Sequence, residues 1–170
     1  MSFKSWLKTG VVLILGVAIG VGVVLGWLHF KSSSSPIPKN IKKQLSFIVL
    51  YPAPDPNTKV NKATFKYDSQ NGVFSFVVLT YGISNTITEQ STPDPFNDIP
   101  NYYQTFVTKL RSYSTFDTDI GKVDLTRPDS LNGGQAAVMN SKGVLLFAHP
   151  TKDLTKEQWQ HFFNSLETIK

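Results

Sequence analysis

The hydrophobic pattern changes character twice along this chain. From Val11 to Phe30 it is continuous: VVLILGVAIGVGVVLGWLHF carries no charge. Twenty helical residues would rise about 30 Å, the thickness of a bilayer's hydrocarbon core. The stretch therefore predicts a transmembrane helix, with Trp27 and His29 at one end, where amphipathic rings favour the interface. A short basic tail, residues 1–10, precedes it. A Ser/Pro/Lys-rich linker, residues 31–45, follows. Within that linker Ile37, Ile41 and Leu45 recur at every fourth position, which predicts a short amphipathic helix with its lysines outward.

Residues 46–170 read as a separate domain, built mainly from short β-type runs. Strands are expected at Ser46–Tyr51, Ala63–Asp68, Val73–Tyr81, Asn85–Gln90, Lys122–Arg127, Gly134–Asn140 and Gly143–His149. Asn71-Gly72 and the Asn140–Gly143 segment mark hairpin turns. Two helices interrupt the strands. Tyr103, Phe106, Val107 and Leu110 keep helical spacing behind Asp98 as a cap and Pro100 in the first turn. Thr155 and Gln158 form a capping-box pair ahead of Trp159, Phe162, Phe163, Leu166 and Ile169. Val73–Tyr81 and Val144–Ala148 are apolar on both sides and read as central strands; Ala63–Asp68 and Asn85–Gln90 read as peripheral. The fold class expected is α+β: an N-terminal transmembrane helix, then a mainly antiparallel sheet covered by helices.

Charge sharpens this division. Residues 1–45 hold six lysines and no acidic residue, whereas the rest of the chain holds 11 basic and 12 acidic groups. The positive excess flanks the apolar segment and leaves no basic stripe on the domain, which excludes a nucleic-acid binder. The positive-inside count sets Lys4, Lys8 and the terminal amine against Lys31, Lys39, Lys42 and Lys43, and does not decide orientation by itself. A signal-anchor that moves the near-neutral domain outward is the simpler crossing. The expectation is a single-pass protein of the inner (cytoplasmic) membrane with its domain outside the cytoplasm, in contact with the bilayer through residues 11–30. Ala18, Gly22 and Gly26 lie four apart on one face of this helix, spacing that suits helix–helix contact and a homo-oligomer. A pilin-like or secretion-system pseudopilin subunit is the alternative, since Lys8-Thr9-Gly10 precedes an apolar helix. Against it, Leu15 stands where pilins carry a glutamate, and Ser32–Pro36 breaks the helix.

Candidate chemistry is sparse. The absence of cysteine removes disulfides, thiolate metal sites and thiol nucleophiles. Asp117, Asp119 and Asp124 cluster around Gly121, but Lys122 and Pro128 occupy the positions where a calcium loop needs glycine and glutamate. Gly133-Gly134 lacks the spacing of a phosphate loop. His149, with Asp153 nearby in sequence, is the only histidine placed for hydrolysis, and no nucleophile elbow accompanies it. His161 lies off the apolar stripe of its helix. No catalytic residue, metal ligand or cofactor is therefore assigned. Tyr51, Tyr81 and Tyr102, beside the proline-rich loops 51–56 and 92–100, are candidates for a recognition surface.

The segment Gly134–Leu166, with GVLLFAHP in a hairpin strand and Phe162-Phe163-Asn164-Ser165-Leu166 closing a C-terminal helix, resembles small anchored bacterial proteins of unknown function. Their soluble domains are similar to the PsbP/Mog1-type and lipoprotein-carrier-like α+β groups. The resemblance implies a non-catalytic, extracytoplasmic binding or accessory domain and transfers no site residue; between a protein, lipid or envelope partner the residues do not choose.

Overall fold

The computed structural model describes residues 35–169. The chain runs through α1 (Lys39–Lys42), β1 (Val49–Pro52), β2 (Thr58–Asp68), β3 (Val73–Thr80), β4 (Ile83–Ser91), α2 (Asp94–Asp98) and α3 (Tyr102–Lys109). It continues through β5 (Ser112–Thr118), β6 (Gly121–Thr126), β7 (Ala136–Ser141), β8 (Val144–Pro150), α4 (Lys156–Asn164) and β9 (Leu166–Ile169). Seven strands form one antiparallel sheet in the order β2-β3-β4-β8-β7-β6-β5, and β1 pairs with β9 in a separate two-stranded ribbon.

Strand alternation gives the sheet two faces. On one, Phe74, Phe76, Val78, Ile87, Ala148, Leu146, Ala137, Met139, Val123 and Leu125 line up by cross-strand register. They share a core with Leu50 of the ribbon, Ile41 of α1 and Trp159, Phe162 and Phe163 of α4. We call this the ribbon face. On the other, the helix-pair face, Val138, Leu145 and Phe147 pack with Phe96 of α2 and Tyr103, Phe106 and Val107 of α3. β7 and β8 are central because they are apolar on both sides, as expected of Val144–Ala148.

α4 starts where the pattern placed it. Thr155 and Gln158 form the reciprocal capping box. Gln135, between β6 and β7, anchors the same corner. Its Oε1 accepts from the Leu154 amide at 2.9 Å and from the Trp159 indole N–H at 2.8 Å, while its Nε2 donates to the Leu154 carbonyl and the Tyr113 hydroxyl. These hydrogen bonds tie the start of the helix to the sheet beside its packed aromatic residues.

The topology corrects several expectations. The described residues are mainly antiparallel β with helices of four to nine residues, not an α+β arrangement headed by a transmembrane helix. Among them no helix is long and apolar enough to cross a membrane. The longest, α4, has nine residues, a rise of about 13 Å against a core of about 30 Å. Residues 11–30 lie outside the described residues, as do Ala18, Gly22 and Gly26. The transmembrane, single-pass, signal-anchor and inner-membrane readings thus find no support in the structure and are set aside.

Smaller corrections concern single elements. β5 was not expected, because Ser112–Thr118 is almost wholly polar outside Phe116; it is an edge strand whose one buried residue, Phe116, packs on Phe163 of α4. The C-terminal helix stops at Asn164, and Leu166–Ile169 turns away to pair with β1. β3 is buried on one side only: Leu79 is exposed. β4 is not peripheral but sits between β3 and β8. It was misread because its buried positions are Asn85, Ile87 and Glu89, two of them polar.

Replacing Gln135 by alanine leaves two buried N–H donors, of Leu154 and Trp159, without an acceptor. A loss of about 2–4 kcal/mol in chemical denaturation is expected. A loss below about 1 kcal/mol would show that the corner is held by packing alone.

Candidate functional site

One end of the ribbon face breaks the apolar pattern. Phe74, Phe76 and Val78 alternate inward along β3, and the next inward position is Thr80. Opposite it on β2 stands Thr58. On β4 the inward residue at this end is Asn85, directly across from Val78 and, on its other side, Pro150. Thr58 and Thr80 are directly opposed, and Asn85 lies diagonally from Thr80 on the same face, so the three form a staggered polar row at this end. Thr80 and Asn85 are fully buried and Thr58 is 8% exposed.

Among the described residues nothing pairs with this row. The hydroxyls of Thr58 and Thr80, and both the Nδ2 and Oδ1 of Asn85, have no hydrogen-bond partner. A buried polar group left unpaired costs about 1–3 kcal/mol, so the row is an expense that the sheet's stability does not explain.

The rim above the row comes from three elements. His161 of α4 lies with Nε2 3.0 Å from Oδ2 of Asp55. Its ring also meets Tyr81 edge-on, at 5.8 Å between centroids. Asp55 is fixed by its turn, where Oδ1 accepts from the Asn57 amide at 2.7 Å and the backbone bridges to Thr58. Tyr81 follows β3 in the left-handed region, φ 51°, and its amide donates to the Asn57 carbonyl at 2.8 Å. Tyr81 and the His161 side chain are both about two-fifths exposed, whereas the Asp55 side chain is mostly covered. Tyr81 adjoins Thr80 in the chain and Asp55 bridges to Thr58, so the rim lies at the same end of the sheet as the row.

The other candidates fall elsewhere. His149 lies on the helix-pair face, opposite Thr86, and a Cβ on Gly134 would come within 4.0 Å of its Nε2. Asp153 is not its partner: that carboxylate pairs with Arg127, whose guanidinium also covers the Tyr113 ring. Tyr51 stacks on Phe76 on the ribbon face, while Tyr102 packs on Phe96 on the helix-pair face. The three tyrosines are thus not one surface, and only Tyr81 borders the polar row. Asp117 and Asp119 are exposed. Asp124 is buried and accepts from the Tyr103 hydroxyl at 3.0 Å. Among the described residues no group of acidic or histidine side chains is placed to hold a metal ion.

Thr58, Thr80, Asn85 and Asp55 were missed in the sequence. The available signal was a polar residue interrupting a period-two apolar row, at Thr80 and again at Asn85. No family model, no curated protein and no solved structure matches the chain.

Thr80→Val removes an unpaired buried hydroxyl and keeps the shape. It is expected to raise the stability of the purified protein by about 1 kcal/mol in chemical denaturation. A comparable loss would mean that the hydroxyl is already satisfied within the folded chain.

Proposed function

We propose that this domain is a non-catalytic binding module that takes a small, uncharged hydrogen-bonding group against Thr58, Thr80 and Asn85, beneath the Tyr81–His161–Asp55 rim. The observation that carries the reading is the Asn85 carboxamide, fully buried with neither polar atom paired. A primary amide presents a donor and an acceptor side by side, and the two hydroxyls can each give or accept. This lining complements an amide or a hydroxyl-bearing group. It holds no charge, so an ion gains nothing there to offset its desolvation. Turning the His161 ring out of its contact with Tyr81 is the simplest path in.

Hydrolysis has less support. Among the described residues His149 has no carboxylate partner, since Asp153 is engaged by Arg127. His161 has its carboxylate, yet among the described residues no hydroxyl is hydrogen-bonded to its ring.

Titration of the isotope-labelled full chain with acetamide, N-methylacetamide and glycerol tests the proposal. Saturable shifts of the Asn85 side-chain NH2 and of the Thr80 and Tyr81 backbone amides are expected, the latter two lost in Asn85→Leu while the variant stays folded. No saturable shift with any probe, or an unchanged response of Thr80 and Tyr81 in Asn85→Leu, would overturn it.

A further inference from the structure

A second polar group interrupts the ribbon face two inward positions along β4 from Asn85, past Ile87. Glu89 is fully buried, flanked across the sheet by Phe74 of β3 and Leu146 of β8. Its Oε2 accepts from the Leu50 amide of β1 at 3.1 Å, and its Oε1 has no partner among the described residues. Leu50 is paired in turn with Thr168 of β9. Among the described residues this side-chain hydrogen bond joins β4 of the large sheet to the β1–β9 ribbon.

We propose that Glu89 is a protonation-operated latch: neutral, it holds the β1–β9 ribbon on the sheet, and ionised, it releases the ribbon while the seven-stranded sheet stays folded. One amide donor is too little to solvate a buried carboxylate, so the closed ribbon requires the neutral acid. Burial pushes the Glu89 carboxyl well above its ordinary value of 4.5, and the Leu50 amide opposes this only in part. The titratable groups on the covering elements are Tyr51 of β1, Glu167 of β9, Lys39 and Lys42 of α1, and Lys156, Glu157 and His161 of α4. None of them contributes to the shift. The ribbon can yield separately because it shares no hydrogen-bonded ladder with the large sheet.

The direction with pH follows from proton linkage. The closed state, with the raised value, holds the proton more tightly than an open state in which Glu89 meets water. Closure is therefore strongest below pH 4.5. It weakens by up to tenfold per pH unit from there until the closed-state value is passed.

Amide hydrogen exchange of the full chain between pH 4.5 and 8 reads this directly. After correction for intrinsic exchange, protection at Leu50 and Ala53 is expected to fall with pH while Val138 and Phe147 in the sheet hold theirs. In Glu89→Gln the ribbon's protection should be flat. Flat wild-type protection, the same fall in Glu89→Gln, or loss in step with the sheet would each overturn the latch. Should Glu89→Gln fail to fold, a carbon-13 titration of the wild-type Glu89 carboxyl decides. A midpoint matching that of ribbon release supports the proposal, and titration near the ordinary glutamate value overturns it.

Discussion

A sheet that is apolar on both faces across β7 and β8 must be covered twice, and that constraint organises the domain. The ribbon face receives Trp159, Phe162 and Phe163, all fully buried, together with Leu50 of the ribbon. Burying each such side chain contributes about 1.5–3 kcal/mol, so α4 does most to close this side. The helix-pair face is closed by α2 and α3 through Phe96, Phe106 and Val107. Because α2 and α3 cover mainly β6–β8, the same face of β3 leaves Leu79 in solvent. Coverage is complete at the middle of the sheet and thins toward the β2 side.

Polar groups beneath these covers then become informative. On each face one buried carboxyl reaches the covering layer: Glu89 to the Leu50 amide, and Asp124 to the Tyr103 hydroxyl. The two differ in their donors. Burial and the neighbouring Asp124 push the Tyr103 phenol upward, so it remains a donor throughout the physiological range. Glu89 meets only a backbone amide and carries its own penalty. Each carboxyl keeps one buried oxygen without a partner among the described residues. Asn85 and Thr80 lie at the far end of the same face without even one partner among the described residues. The proposed binding row and the proposed latch thus share one strand, β4, with Asn85 and Glu89 toward opposite ends of it.

Some of this was legible in the residues. Val144–Ala148 is apolar on both sides and is central; Asp68–Val73 turns as its Asn-Gly pair implies; Thr155 and Gln158 cap α4. These are local features, decided by period, turn chemistry and side-chain reach over a few residues. β4 shows where such reading ends. Its inward residues are Asn85, Ile87 and Glu89, a pattern that describes an exposed edge strand by every local criterion. Only its flanking partners, β3 and β8, make those positions interior. β5 failed for the complementary reason. A sheet edge needs little hydrophobic pattern, so Ser112–Thr118 carried almost none.

The rim and the ribbon lay beyond sequence reading altogether. Asp55 and His161 are 106 positions apart. Leu50 meets Thr168 only because α4 returns the chain to its starting corner. Leu166 and Ile169 continue the helical spacing of α4, yet the backbone leaves the helix at Ser165 and pairs with β1. The residue pattern by itself determined most strands of the large sheet, their hairpin turns, the capped aromatic helix and the placing of all excess charge in residues 1–45. The tertiary structure decided which strands are central, which polar residues are buried and which distant side chains meet. The physical reason is that burial is a property of neighbours: a chain specifies its own periodicity locally, but the environment of each position is set by whatever strand or helix comes to lie against it.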